Sequence, residues 1–550
     1  MTSSQDSYVS DTSPIPYHQI IVLSQKVINA GFKNMWKIAQ GDDNSPLKHF
    51  KKSIHGEYID SDVGVPSVQL HVKSREPMLY FLLSLTKGEL AVYESDESEN
   101  LLTWDINDWV LAFNVVIDQK QISKDSDKYK EFKERAGLPE SNFSLAQLFI
   151  DSSSSTKLNR DLTTFGEHSL DELSPAASAS VLQFLTHWIT VMSESDNSVL
   201  GYAAQREKDS NELNEYAPSF PPTSIDYFPY PWLGDSGDGS AQDFQDQNSL
   251  SYLMMSDFQD PPIQGAMPYT GAWTDGGSRG ATYCMGKSLF WGWLLPLMRT
   301  LSMAMAPVPE TPYVEYIGTP PETPFSFGAR FHIGDDNASD DDYNWIPSNQ
   351  STWEATSPTK YTDARADDPN KKNDYQTAQQ WSRNIEAKVY FEAGKETITL
   401  GGSSRFTFDL THTRGSYPST RFLMHADITW SIPLQMASIE EGGVIFQMPQ
   451  KGNVNVSPVV EIDTMRLDDL PTAIAQRMAD SLKERMSSAL SSVENELTYA
   501  LANANRLCLP AAGTFFMKDP IFNQKGDLLV QLAYDGADPP PPPKKGKYKL

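Results

Sequence analysis

Large apolar side chains at Leu470, Ile474, Met478, Leu482, Met486, Leu490, Leu497 and Leu501 recur almost entirely at steps of four. Pro471 stands at the entrance to this stripe and Leu509-Pro510 lies just past its exit. The spacing predicts one amphipathic helix of about 35 residues, roughly 50 Å long at about 1.5 Å per residue. That is well beyond the usual three turns. Each step of four overshoots a full turn by about 40°, so the stripe winds around the helix. A winding stripe needs a partner that wraps it, and the flanking segments read as β-strand. The chain therefore says more about architecture than about chemistry.

The C-terminal third is the clearest part. Segments 387–392, 397–400, 405–410, 421–432 and 443–448 read as strands divided by Gly, Ser and Pro. Phe422, Met424, Ala426, Ile428, Trp430 and Ile432 form an unbroken apolar row. Arg421, His425, Asp427, Thr429 and Ser431 stand opposite, with Leu423 the exception. One face is dry and one wet, as in an antiparallel sheet that covers something. Beyond the long helix, 513–517 and 528–534 read as a hairpin with a turn at Asn523-Gln-Lys-Gly526. The chain ends in a polyproline and basic tail, 538–550.

Earlier segments are less regular. Residues 17–39 read as a helix with Ile20, Ile21, Val27, Ile28, Met35 and Ile38 apolar. Strands are expected at 53–59, 65–73, 78–85, 89–94 and 108–117, the last alternating through Trp109, Leu111, Phe113, Val115 and Ile117. A charged stretch, 120–135, reads as an exposed linker or helix. A helix over 174–193 starts near Pro175 and turns Leu182, Leu185, Trp188, Ile189 and Met192 inward. Aromatics in Pro-rich 217–262, above all 220–232, predict an ordered loop pinned to a surface. A helical stretch follows at 283–305, then a Pro-rich run to 324 and a polar excursion through about residue 375. The expected organisation is a disordered lead (1–16), an N-terminal helix with strands (17–118), a middle region (119–384), a C-terminal sheet, helix and hairpin (385–534), and a tail (535–550). The middle region is expected to hold either a second related module or elaborations.

Composition narrows the functional classes. At 550 residues the chain exceeds one ordinary core. With 72 acidic against 45 basic side chains, the formal net charge is −27. Such a field repels phosphate backbones, so no nucleic-acid partner is expected. Two cysteines, Cys284 and Cys508, cannot build a disulfide framework and read as buried thiols in a reducing compartment. The N-terminus has neither a basic start nor an apolar run, so no secretory signal is expected there. The most apolar stretch reaches only from Leu289 to Met298, short of the about 18 residues a membrane span requires. A cytoplasmic, soluble protein is the expectation.

Motifs for chemistry fail on inspection. Gly286-Lys287-Ser288 looks like the close of a phosphate loop, but Gly280 is one residue too distant, and a helix start reads better. The acidic cluster from Asp335 to Asp342 has Asp340 and Ile346 where a calcium loop needs Gly and Glu, so it reads as solvated. None of the nine histidines forms HExxH or a helical metal pair, and no GxSxG elbow occurs. No cofactor, metal or catalytic residue is expected. An unrecognised enzyme stays as a third reading, since acid–base pairs can be far apart in sequence.

Residues 508–534, together with 68–70, 77–80, 141–149 and 220–232, are similar to a group of large fungal proteins. The ending, a long helix then a hairpin, resembles accessory proteins encoded beside clostridial neurotoxins, placed in the tubular lipid-binding (TULIP) superfamily. The resemblance implies an α+β fold of curved antiparallel sheets wrapped around long amphipathic helices, with a more irregular middle. It also implies an apolar tunnel, and with it non-enzymatic binding of a lipid or another long apolar ligand. Ile474, Met478, Leu482 and Met486, with Phe422, Ile428 and Trp430, would line that tunnel, although all seven serve equally well as core. The other reading is an interaction protein with a filled core that recruits partners through its Pro-rich loops and tail. Lys544, Lys545, Lys547 and Lys549 would permit peripheral contact with anionic lipid, or act only as a solubilising tail.

Overall fold

The computed structural model describes residues 8–534 apart from short internal segments, the longest being 131–142, 207–221, 264–272, 317–324, 334–342, 368–374, 448–454, 464–469, 500–506 and 509–514. The acidic cluster at Asp335–Asp342 and the lysine tail lie outside the described residues, as do Leu501 and the side chains of Leu470, Ile474 and Cys508.

The first half begins with β1 (Gln19–Ser24) and α1 (Gln25–Ala39). Then come β2 (His49–Ile54), β3 (Glu57–Val63), β4 (Ser67–Leu70), β5 (Met78–Tyr93), β6 (Leu101–Ile122), β7 (Phe143–Asp151) and β8 (Lys157–Leu158). Helix α2 (Pro175–Glu194), strand β9 (Val199–Arg206) and the pair β10 (Ser224–Tyr230) and β11 (Ser249–Met255) complete it. The second half begins likewise with β12 (Ala281–Met285) and α3 (Lys287–Met303). Short strands β13 (Pro307–Pro309), β14 (Tyr313–Tyr316), β15 (Phe325–Gly328), β16 (Phe331–Ile333) and β17 (Ile346–Pro347) follow. The long strands are β18 (Thr352–Asp367), β19 (Tyr375–Phe391), β20 (Thr397–Arg414) and β21 (Tyr417–Ser438), followed by β22 (Val444–Gln447) and β23 (Asn455–Asp463). Helix α4 (Leu470–Tyr499), strand β24 (Leu507–Cys508) and the hairpin β25 (Phe515–Phe522) and β26 (Leu528–Tyr534) end it.

The two halves meet in a six-stranded sheet of order β10-β11-β1-β12-β26-β25. Each half contributes a first strand at the centre and a late pair at one edge, so the order is the same read from either side. Strands β2–β9 with β24 build a nine-stranded sheet, and β17–β23 a seven-stranded one; among the described residues every ladder of both is antiparallel. The boundaries expected at residues 118 and 384 fall inside β6 and β19.

Several expectations are corrected. Residues 19–24 are a central strand, not the start of a helix. All six are buried, with Ile21 and Leu23 joining the main core and Ile20 and Val22 a second cluster across the sheet. A strand covered on both faces has no polar side to alternate with, so its sequence is a continuous apolar run. The helix starts at Gln25 because the Ser24 hydroxyl accepts from the Val27 amide at 3.3 Å. Residues 53–59 are a hairpin corner, with His55 and Gly56 at φ +50° and +92° between β2 and β3. The aromatic segment 220–232 is largely the edge strand β10, where Pro229 needs no ladder donor. Leu182 is 45% exposed, whereas Val181, Phe184, Leu185, Trp188 and Met192 are buried. The lead is ordered from Tyr8, whose buried ring lies 4.0 Å under the Arg279 guanidinium, and the Asn523 amide donates to Thr12 O at 2.8 Å. Strands dominate among the described residues, so the expected wrap around several long amphipathic helices is not supported; α4, at 30 residues, is the exceptional helix.

Candidate ligand-binding face

Strict alternation sorts the long strands of the second half. Along β21, Met424, Ala426, Ile428, Trp430, Ile432, Leu434 and Met436 are buried while Arg421, His425, Asp427 and Thr429 are exposed. On the wet face, Arg405 Nε donates to Asp427 Oδ1 at 2.9 Å, and Arg421 donates twice to Asp409, at 2.9 and 2.6 Å. Opposite charges across neighbouring strands suit a solvated face and oppose flipping the register.

On the inner face the register sets the rows. Gly402 faces Trp430, Ser404 faces Ile428, Phe406 faces Ala426 and Phe408 faces Met424. Phe422, opposite Leu410, is partly buried at the far end. From Phe422 to Met436 the row is about 46 Å long at about 3.3 Å per residue.

Helix α4 packs against β22, β23 and α3. Its buried stripe is Met478, Leu482, Met486, Leu490, Val493 and Leu497. Val493 was missed by reading steps of four. It supplies a step of three, which turns the stripe back by about 60° and moderates the winding. Of the seven residues expected to line a tunnel, Met478, Leu482, Met486, Ile428 and Trp430 are buried in the common core, and Phe422 packs against it.

Aromatic packing closes one end of this region. Trp291 on α3 lies 4.0 Å from Trp353, 5.5 Å from Phe391 and 5.4 Å from Phe522, ring centre to ring centre. The Leu289–Met298 stretch is part of this helix, with Phe290, Trp291, Leu294 and Met298 buried while Gly292 and Pro296 are exposed. Gly286-Lys287-Ser288 does not cradle phosphate: the Lys287 amide at the start of α3 donates to Asp527 Oδ1 at 2.7 Å. Cys284 is fully buried on β12, and burial pushes its thiol well above the usual range, with the nearby Asp527 carboxylate adding to it.

Sequence reading missed the polar end of the inner face. Thr377, Gln379 and Arg383 on β19 and His412 on β20 are each at most 1% exposed. Thr377 Oγ1 and His412 Nδ1 lie 3.0 Å apart, and the Arg383 guanidinium sits 6.0 Å from the Trp381 ring centre. The signal was present, since Thr377, Gln379, Trp381, Arg383, Ile385, Ala387 and Val389 keep one period of two. Their polarity hid it. Among the described residues, no group of three or more His, Cys, Asp or Glu is placed to hold a metal ion, and no helix is long and apolar enough to cross a membrane.

These elements define an α+β protein of antiparallel sheets, with a one-sided apolar face in its second half. No family model matches the chain, and no curated protein matches it. Among solved structures it is similar to P47 of Clostridium botulinum E1, at 11% identity and a TM-score of 0.44, covering 94% of this chain and 99% of that one. It is also similar to a lipopolysaccharide binding protein, at 10% identity and a TM-score of 0.31, covering 95% and 99%. Both scores are low.

Proposed function

We propose that the chain is a non-enzymatic binder of a lipid or another long apolar ligand, held between α4 and the inner face of β18–β23. The observation that carries this reading is the apolar row of β21, about 46 Å long. One acyl chain needs about 15 Å, half the thickness of a bilayer's hydrocarbon. The sheet curves around α4 in this reading, giving a TULIP-like trough lined by Met478, Leu482, Met486, Phe422, Ile428 and Trp430. Methionines at two of the helix positions adapt to chains of different shape. The first half, with α2 over the nine-stranded sheet, is a related module on the same plan.

Delipidated protein titrated with a fluorescent fatty acid tests this. Saturable binding is expected, and Ala426→Trp, placed within the row, should abolish it while leaving the protein folded. A second reading is favoured by a specific observation: Met478, Leu482, Met486 and Ile428 are at most 1% exposed. Side chains so enclosed are also those of a filled core, whose binding would then reside in loops and tail. Folded wild-type protein that neither binds the probe nor releases lipid on solvent extraction would select that second reading.

A further inference from the structure

Trp430 is the one polar-tipped side chain in the apolar row of β21. It is 4% exposed, and its indole N–H has no acceptor among the described residues. A buried donor without a partner is uncommon, because it loses its hydrogen bond to water and gains nothing in return. The ring is nevertheless held in place. It lies across the strand pair onto Gly402, its direct partner on β20. A Cβ at Gly402 would fall among the ring atoms, 2.8 Å from Cε2, and 2.5 Å from the Glu386 carbonyl oxygen. Only glycine leaves that bed open, so the indole is fixed by backbone and not by chance rotamer choice. The inner-face residues around it on the paired strands are Ile428, Ile432, Leu400 and Ala387, all buried and apolar, and the buried Ser404, whose hydroxyl donates to Met305 O at 3.1 Å.

We infer that the Trp430 N–H is a polar contact for the ligand, donating to a neutral oxygen such as an ester carbonyl partway along an acyl chain. This rests on the apolar-ligand reading above and adds the ligand's class. A mostly apolar surround disfavours an ionised carboxylate at this point. A carbonyl oxygen satisfies the donor at no charge cost.

The test compares pyrene-labelled hexadecane with the equally labelled methyl ester of palmitic acid, on wild-type protein and Trp430→Phe. Phenylalanine keeps an aromatic face over Gly402 and deletes the donor. Wild type should bind the ester about tenfold more tightly than the alkane, the worth of one net hydrogen bond in a dry site. Trp430→Phe should lose that preference: the ratio of ester to alkane affinity falls to about one, whatever the change in alkane affinity itself. Thermal melting and circular dichroism of the variant confirm that it is folded. Equal affinity of wild type for both probes, or an unchanged preference in Trp430→Phe, overturns the inference and leaves apolar binding standing. If neither probe binds wild type, the apolar-ligand reading itself fails and the inference falls with it.

Discussion

The amide of Lys287 donates to the carboxylate of Asp527 at 2.7 Å, joining two residues 240 apart in sequence. Asp527 is 1% exposed and also accepts from Asn523 Nδ2 at 3.0 Å, while its own amide donates to Asn523 Oδ1 at 2.8 Å. One buried carboxylate therefore caps α3 and closes the turn of the C-terminal hairpin. A negative group at a helix N-terminus is favoured by the helix dipole and satisfies an otherwise orphan amide.

Asp527→Ala should cost about 2–3 kcal/mol, because it removes a cap and leaves the Lys287 amide and Asn523 side chain without this acceptor. Asp527→Asn keeps an acceptor oxygen and should cost less. Urea unfolding measures both; a loss within error for the alanine variant would show that the contact is not structural.

Gly402→Ala should destabilise by about 1–3 kcal/mol, since a methyl group there meets the Trp430 ring and a backbone carbonyl. Replacing Trp430 by alanine in the same chain should relieve the side-chain part of that clash. A double-mutant cycle should thus be non-additive, and strict additivity would mean the ring does not rest on Gly402.

Much of the fold was legible in the sequence where one side of an element meets water. β21 alternates with Leu423 the exception, α4 carries its stripe, and the terminal hairpin shows its turn, with Gly526 at φ +89°. Legibility failed where both sides are covered. Residues 19–24 were misread because helix and buried strand look alike in a short apolar run, and Ser24 as a cap was overlooked. The polar stretch of β19 was passed over for the opposite reason, since buried Thr377, Gln379 and Arg383 carry no apolar alternation to mark a strand. Trp430 was legible as an apolar lining residue. Its bare N–H was not, because register and the glycine opposite decide it.

Stability should fall at alkaline pH. Burial raises the Cys284 thiol and the phenols of Tyr252 and Tyr283, for each as its largest cause. Groups with raised values in the fold contribute fully below their ordinary range, about pH 8.5 for thiol and 10 for phenol. Above it the unfolded chain ionises first, so stability drops as pH rises toward the folded values. Urea midpoints measured from neutral pH upward should decline through that window. Iodoacetamide labelling mapped by mass spectrometry should find Cys284 only after unfolding; labelling at the rate of a free thiol in the folded protein would contradict its burial.

Leu482 separates a filled interior from a trough open to ligand. It is 0% exposed on α4. In a filled core, Leu482→Ala leaves a cavity and costs about 2–5 kcal/mol. In delipidated protein with a collapsible trough the cost should lie below that range, and adding a fatty acid should raise the melting temperature of wild type and variant alike. A full cavity cost with no ligand-induced rise would favour the filled core.

The most direct measurement is equilibrium titration of delipidated, folded protein with a fluorescent fatty acid, beside the Ala426→Trp variant. The account predicts saturable binding by wild type and its loss in the variant, with both proteins melting cooperatively. Absence of saturable binding in folded wild-type protein, or binding unchanged by the tryptophan, would contradict a ligand seated on the inner face of β21.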